Sequence, residues 1–201
     1  MERMVKKSSV ACGKYKCIVI GVSAGGLAAL TLLLPALGTE FPAAVIVVQH
    51  VQADADLFLI QHLGGLCRLP VREAEDKVII NGGNIYIAPP GYHLLVEEGG
   101  TFALSVDPPV HYSRPSIDVL FESAARIWGK SLIGIILTGA SSDGARGLAR
   151  IKEMGGLAIV QNPLEAEYGA MPRAAIATAN VDAVLTLRGI GEFLNELFPA
   201  G

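Results

Sequence analysis

Short apolar runs that alternate with helix-like stretches constrain the fold of this chain more than any other sequence feature. Each run has about five residues, the usual length of a buried strand. The predicted strands are Cys17–Ile20, Ala43–Val48, Ser131–Leu137, Leu157–Val160 and Ala183–Leu187. This alternation is typical of βαβ units, in which helices cover a parallel sheet. Hydrophobic residues make up 51% of the chain and charged residues 17%, which fits strands buried on both faces.

Helices are predicted between these strands, and β-like pieces interrupt the middle of the chain. The predicted helices are Leu27–Leu34, Ala55–Leu63 with Asp54 as N-cap, Ser116–Trp128, Asp143–Met154, Pro172–Ala179 and Ile190–Leu197. The β-like pieces are Val78–Ile80, Asn84–Ala88, His93–Glu97 and Thr101–Val106. A hairpin turning at Gly99–Gly100 is expected to extend the sheet with antiparallel strands. We predict a short flexible leader over residues 1–15 and one α/β domain over residues 16–199.

Charge and cysteine content argue against several functional classes. The net charge is −3 and no basic patch stands out, so nucleic-acid binding is not expected. The three cysteines, Cys12, Cys17 and Cys67, form no CxxC pair, which favours reduced thiols in the cytoplasm over a disulfide framework. No apolar run is long enough for a secretory signal or a membrane span. We therefore expect a cytoplasmic protein without membrane insertion.

Three polar residues follow predicted strands at the edge where ligands of open parallel sheets bind. Ser23 follows the first strand in GVSAGG, His50 follows the second in VVQH, and Asp143 follows GIILT in TGASSDG. An imidazole can take the proton of a serine hydroxyl, and a carboxylate can orient that imidazole. The glycine-rich turn after Ser23 and the Gly139–Ala140 turn predict backbone donors for an oxyanion. The sequence thus predicts a hydrolytic triad.

Each residue of this trio also has a simpler interpretation. Ser23 can be a helix cap or a phosphate contact, His50 a satisfied histidine at the edge of the core, and Asp143 the N-cap of the next helix. Three other histidines compete for the role of base. His62 falls late in a predicted helix, His93 begins a hairpin strand, and His111 lies in the irregular stretch VHYSRPS. His50 fits the strand-end position best.

Six ordered blocks resemble the catalytic domain of the chemotaxis receptor methylesterases, the CheB family. The blocks are IGVSAGGLAAL, VVQHV, EAEDKVIINGGNIYIAPPGYHL, RPSIDVLFESAA, GIILTGASSDGARGL and AIVQNPLEAEYGAMPRAAI. The resemblance implies a three-layer α/β/α sandwich with a largely parallel, doubly wound sheet. It implies hydrolysis of γ-glutamyl methyl esters on the cytoplasmic helices of methyl-accepting chemotaxis receptors, with release of methanol and with no metal or cofactor. Ser23 maps to the nucleophile, His50 to the base and Asp143 to the aspartate.

The chain departs from the family pattern at two positions near the predicted oxyanion site. Ala24 stands where many members carry threonine, and Ala140 where many carry methionine. The resemblance assigns the oxyanion donors to the backbone N–H groups at these two positions, so alanine should preserve them. The resemblance also suggests Arg114 as a binder of an acidic surface or product carboxylate, with a loop anchor as the alternative. Met171 is a candidate cleft residue, with a core position as the alternative.

Typical family members carry an N-terminal receiver domain, whereas only about 15 residues precede the first predicted strand of this chain. We therefore expect an open site, a separate regulator that replaces the receiver domain, or a fragment of a longer product. Three functional alternatives stay open. They are deamidation of receptor glutamines by the same triad, nucleotide binding by GVSAGG, and a non-catalytic signalling or binding module that keeps the fold. GVSAGG lacks the full GxGxxG spacing and the Gly-Lys-Ser/Thr of a P-loop, which argues against nucleotide binding.

Overall fold

A computed structural model of the protein describes residues 14–50 and 58–199. The strands are β1 (Cys17–Val22), β2 (Ala44–Gln49), β3 (Val71–Glu73), β4 (Ile85–Ile87), β5 (His93–Glu97), β6 (Thr101–Ser105), β7 (Leu132–Ile136), β8 (Leu157–Gln161) and β9 (Ala183–Leu185). The helices are α1 (Gly26–Leu33), α2 (Phe58–Gly64), α3 (Ile117–Trp128), α4 (Ala145–Glu153), α5 (Ala170–Thr178) and α6 (Leu187–Leu197). Most of the predicted leader, including Cys12, lies outside the described residues, as do Asp54 and the start of the second predicted helix.

Seven strands form one parallel sheet in the order β3-β4-β2-β1-β7-β8-β9. The chain winds outward from β1 to one edge and then returns to place β7 on the other side of β1. This reversal of winding creates the crevice at the carboxyl ends of β1 and its neighbours where open α/β sheets bind ligands. The sheet topology therefore places a functional site after β1, β2 and β7.

Side chains of β1 alternate between two hydrophobic cores, one on each face of the sheet. Ile18 and Ile20 pack in the core that contains α1 and α6. Cys17 and Val19 pack in the core that contains α3, α4 and α5. Burial on both faces explains why β1 is a continuous apolar run rather than an alternating one. The predicted α/β fold with helices on both faces of a parallel sheet is confirmed.

The middle of the chain contains the predicted hairpin, but its attachment differs from the prediction. β5 and β6 pair antiparallel as a separate two-stranded sheet instead of extending the main one. The hairpin packs on α3, where the hydroxyl of Ser123 accepts the Val96 N–H at 3.1 Å. The piece predicted at Asn84–Ala88 became β4 of the parallel sheet, and Val78–Ile80 forms no strand beyond an isolated bridge between Ile79 and Thr101. β3 was not predicted.

No helix within residues 14–50 and 58–199 combines the length and the apolar character needed to cross a bilayer.

Candidate active site

The strand register brings Ser23 and His50 side by side at the carboxyl edge of the sheet. Val22 pairs with Gln49 at the last position of the β1–β2 ladder, so the next residue of each strand is Ser23 or His50. The His50 N–H continues this pattern by donating to the Val22 carbonyl at 3.0 Å. Asp143 reaches the same place from the loop that follows β7, on the other side of β1.

The three side chains form a continuous hydrogen-bonded series. Nε2 of His50 lies 2.8 Å from Oδ2 of Asp143, and Nδ1 of His50 lies 3.2 Å from Oγ of Ser23. Because an ionised carboxylate only accepts hydrogen bonds, Nε2 carries the proton and Nδ1 is free to accept the Ser23 hydroxyl proton. The two ring nitrogens exchange the places that they have in the chymotrypsin-type triad, but their chemical division of labour is the same.

Asp143 is fully buried and is held by the first turn of α3. Its carboxylate accepts the backbone N–H groups of Ile117 at 2.7 Å and Asp118 at 3.0 Å, and the Ser116 hydroxyl at 2.9 Å. Burial alone would raise the pKa of Asp143, but the hydrogen bonds from His50 and from these backbone groups outweigh it and lower the pKa below its ordinary value. Asp143 is therefore kept ionised beside His50.

The alternative interpretation of Asp143 as the N-cap of the following helix is wrong. Gly144 occupies the N-cap position of α4, and no side chain caps that helix end. The Asp143 carboxylate instead accepts hydrogen bonds from the N-terminus of α3, a helix distant in sequence. This helix end carries a partial positive charge that favours the carboxylate.

The backbone N–H groups of Ala24 and Ala140 are candidates for an oxyanion site, whereas the N–H groups of the residues that precede them are already bonded. The Ser23 N–H donates to the Thr138 carbonyl at 3.0 Å, and the Gly139 N–H donates to the Tyr168 carbonyl at 2.9 Å. Within the part of the chain that the structure describes, the N–H groups of Ala24 and Ala140 have no such acceptor. The two turns lie close together, because a Cβ added to Gly139 would come within 3.0 Å of the Ser23 Cβ.

Two positioning residues escaped the sequence analysis. The Gln49 side-chain amide donates to the carbonyls of Ser23 at 2.9 Å and His50 at 3.1 Å, and so ties the two turns together. The Thr138 hydroxyl donates to the Ala24 carbonyl at 2.9 Å. The sequence indicates these two residues only by their positions. Gln49 directly precedes His50, and Thr138 directly follows the predicted strand Ser131–Leu137.

Arg114 and Met171 lie outside the hydrogen-bonded trio. Nη1 of Arg114 donates to the carbonyls of Val106 at 2.8 Å and Asp107 at 3.1 Å, contacts that anchor a loop. Met171 is buried and packs against Gly139, as expected of a core methionine. The structure thus brings together Ser23, His50 and Asp143 with the turns of Ala24 and Ala140, and it gives Arg114 and Met171 structural contacts.

The three other histidines have partners of their own. The His62 ring stacks on Phe58, with centroids 5.4 Å apart. Nδ1 of His93 accepts the Ser116 N–H at 3.2 Å, and its Nε2 donates to the Pro108 carbonyl at 3.1 Å. Nε2 of His111 lies 3.3 Å from Oδ2 of Asp118. These contacts leave His50 as the histidine at Ser23.

One cluster among the described residues has distances compatible with a metal ion. The nearest ligand atoms of His111, Asp118 and Asp143 all lie within 4.8 Å of one another. The Asp143 oxygens, however, already accept four hydrogen bonds, two on each atom, which leaves that carboxylate poorly suited to coordination. Oδ2 of Asp118 is buried with Nε2 of His111 at 3.3 Å as its ion-pair contact, and burial raises the pKa of this carboxyl.

A largely apolar cleft of about 460 Å³ opens beside Ser23. Leu27, Phe58 and Glu167 contribute to its walls, together with Gly26 and Gln49. A larger hollow of about 580 Å³ on the outside of α3 and α4 contains none of the trio, so volume alone does not locate the site. The smaller cleft, which Ser23 helps to line, offers room for a short side chain.

Comparisons with known proteins show the family to which the chain belongs. The sequence model described as CheB methylesterase matches residues 18–194. A protein of Leptospira interrogans, whose name joins protein-glutamate methylesterase with protein-glutamine glutaminase, is 51% identical over 183 residues, covering 91% of this chain and 95% of that protein. A protein of Symbiobacterium thermophilum with the same two activities in its name is 37% identical, covering 92% of this chain but 51% of the relative.

A solved structure extends the likeness to three dimensions. The crystal structure of the Thermotoga maritima CheB methylesterase catalytic domain superimposes with a TM-score of 0.86 at 34% identity. The match covers 91% of this chain and 98% of that domain. This chain therefore spans nearly all of a catalytic domain and of the Leptospira relative, and about half of the Symbiobacterium relative.

Proposed function

Since the chain belongs to the CheB methylesterase family, we propose that it hydrolyses γ-glutamyl methyl esters of proteins with Ser23 as nucleophile, His50 as general base and Asp143 as the residue that orients His50. The observation that carries this assignment is the hydrogen-bonded series from Ser23 through His50 to a buried, ionised Asp143. The reaction is a two-step acyl transfer.

In the first step, Nδ1 of His50 takes the Ser23 hydroxyl proton while Oγ attacks the ester carbonyl carbon. The N–H groups of Ala24 and Ala140 stabilise the oxyanion, and Asp143 stabilises the imidazolium. The carbon–oxygen bond to the methoxy group breaks, and His50 returns the proton to release methanol. A water molecule then attacks the acyl-enzyme with His50 again as base, which frees glutamate and restores Ser23.

The substrates that we propose are the cytoplasmic helices of methylated chemoreceptors, which places the reaction in the cytoplasm. The family match supports this assignment. The cleft beside Ser23 supports it as well, because its apolar walls suit the aliphatic part and methyl group of an esterified glutamate side chain.

Deamidation of protein glutamine is a second activity of the same site, suggested by the names of both relatives. A glutamine side chain carries NH2 in place of the methoxy group, and it gives the same acyl-enzyme, with ammonia as the first product. Turnover of ester and amide forms of one receptor peptide compares the two activities directly.

The decisive experiment is labelling with a fluorophosphonate, which reacts with activated serines. We expect the label on Ser23, with loss of labelling in Ser23→Ala and His50→Ala. Ser131→Ala is the matched control, since Ser131 precedes β7 at the opposite edge of the sheet and should label like the wild type. Methanol release from a methylated receptor fragment should follow the same pattern. Full turnover by a folded Ser23→Ala protein would overturn the mechanism.

A further inference from the structure

The two-residue turn at His111–Tyr112 has a backbone conformation that is energetically unfavourable for histidine and tyrosine. Val110 and Ser113 exchange two backbone hydrogen bonds, of 3.2 and 2.9 Å, and so close a minimal hairpin. Both residues of the turn are left-handed, with φ of 49° at His111 and 61° at Tyr112. Such turns favour Asn-Gly, because a bulky side chain is disfavoured at positive φ. The sequence therefore keeps histidine and tyrosine where the fold would prefer other residues.

Burial of the Tyr112 ring does not offset this unfavourable conformation. The residue has a relative exposure of 103%, so its ring gains no burial. Backbone strain of this kind concentrates at functional positions. A large aromatic side chain that is fully exposed on such a turn therefore points to a functional role rather than a structural one.

The turn is fixed in place beside the triad. His111 lies 3.3 Å from the buried Asp118 carboxylate, and its ring nitrogen is within 4.8 Å of a carboxylate oxygen of Asp143. Arg114 holds the carbonyls of Val106 and Asp107, which precede the turn. Tyr112 is therefore presented by a braced turn whose other residue, His111, lies next to Asp118 and Asp143.

We propose that Tyr112 is a recognition residue for the helical polypeptide that carries the ester, an inference that rests on the proposed function. A helix advances about 1.5 Å per residue, so three turns on one side of the ester already cover about 16 Å. The hydrogen bonds from Ser23 through His50 to Asp143, with a ring nitrogen of His111 within 4.8 Å of an Asp143 oxygen, place the turn within this span of Ser23. Tyrosine suits this contact because its rigid ring covers apolar surface while its hydroxyl bonds a polar side chain.

The test compares a protein substrate with a small ester. In Tyr112→Ala we expect KM for a methylated receptor cytoplasmic fragment to rise about tenfold, the loss typical of an aromatic anchor, with kcat within twofold. Hydrolysis of p-nitrophenyl acetate should not change, since Tyr112 is outside the triad. Tyr112→Phe should keep most of the affinity. Leu32→Ala is the control for loss of an exposed apolar side chain, because Leu32 is 68% exposed on α1.

Tyr112→Gly separates recognition from folding. Glycine adopts positive φ without strain, so this variant should have a higher melting temperature than the wild type and still show the raised KM. An unchanged KM in both Tyr112→Gly and Tyr112→Ala would overturn the proposal while leaving the mechanism intact. A wild-type protein that neither labels with fluorophosphonate nor turns over the receptor fragment would instead overturn the proposed function, and this inference with it.

Discussion

Oδ2 of Asp143 accepts the N–H of Ile117, the first residue of α3, at 2.7 Å. The same oxygen faces Nε2 of His50 at 2.8 Å. Asp143, which we propose orients His50, is thereby fixed by the positive N-terminal end of α3. Because one carboxylate serves both the helix end and His50, changes at Asp143 should alter folding and activity together.

Asp143→Asn tests this double role. The amide matches the carboxylate in shape, but it carries no charge to stabilise the imidazolium and one of its two groups cannot accept hydrogen bonds. We expect kcat to fall on the order of 10³–10⁴-fold with little change in KM. Amide exchange at Ile117 and Asp118 should become faster, as measured by hydrogen–deuterium exchange. A variant with near wild-type kcat would mean that Asp143 only anchors α3.

Ser116→Ala isolates one of the donors to Asp143. It removes the hydroxyl that donates to Oδ1 at 2.9 Å but leaves the backbone donors and His50 in place. Because Ser116 acts through Asp143, we expect a modest fall in kcat, roughly tenfold or less, the cost of losing one hydrogen bond to a charged group. Ser131→Ala is the matched control, and equal kinetics in the two variants would rule out a positioning role.

The ends of the strands can be predicted from local sequence patterns, and for this reason Ser23, His50 and Asp143 could be expected to lie together, as they do in the structure. Apolar runs mark the strands, and a parallel sheet places the residues after β1, β2 and β7 at one edge. The features of the site that could not be predicted depend on contacts between segments that are distant in sequence. Asp143 looked like the cap of the adjacent helix, but its partners are 26 and 25 residues away in sequence, at Ile117 and Asp118. No local pattern specifies such a pairing.

The misassigned β pieces have a similar physical origin. β3 has three residues, none of them fully buried, so it carries little apolar signal. β4 is a wholly buried Ile85–Ile87, and its parallel pairing with β2 and β3 is set by tertiary packing rather than by the nearby turn residues. Short strands of this kind are recognised only once their neighbours are known.

Asp118→Asn should stabilise the protein near neutral pH. Burial raises the pKa of the Asp118 carboxyl, and the nearby Asp143 charge adds to the effect. An asparagine keeps the oxygen that accepts the Gly147 N–H at 2.7 Å, and it removes a buried charge whose Oδ2 faces the partly exposed Nε2 of His111 at 3.3 Å. We expect a gain on the order of 1 kcal/mol at pH 7, measured by urea unfolding. Asp118→Ala should destabilise, because it leaves the Gly147 N–H without its acceptor.

The pH dependence of the stability gain in Asp118→Asn follows from the raised pKa of the Asp118 carboxyl. The folded state binds the Asp118 proton more tightly than the unfolded state, so the native carboxyl costs stability as pH rises from the ordinary carboxyl pKa through the raised folded value. The advantage of Asp118→Asn should therefore shrink below about pH 4, the ordinary range of a carboxyl group. Asp143 has a lowered pKa and acts in the opposite sense, with stability lost as pH falls through its folded value. A gain that grows on acidification would contradict this assignment.

Gly26→Ala should disable the site through Gln49. A Cβ on Gly26 would overlap Oε1 of Gln49 and lie 2.7 Å from Cγ2 of Val22. Gln49 is the residue that ties the Ser23 carbonyl to the His50 carbonyl, so its displacement should separate nucleophile and base. Misplacement of reacting groups by about 1 Å can cost on the order of 10²-fold in rate, and we expect a loss of at least tenfold in kcat and in fluorophosphonate labelling.

The melting temperature of Gly26→Ala should also fall, because the buried turn has no room for the methyl group. Gly64→Ala provides the control: a Cβ there meets nothing within 4 Å, and the residue lies in α2. Alanine favours a helix over glycine, so this variant should keep full activity with an equal or higher melting temperature. If Gly26→Ala retained wild-type kcat, the Gln49 bridge would have no part in placing Ser23 against His50.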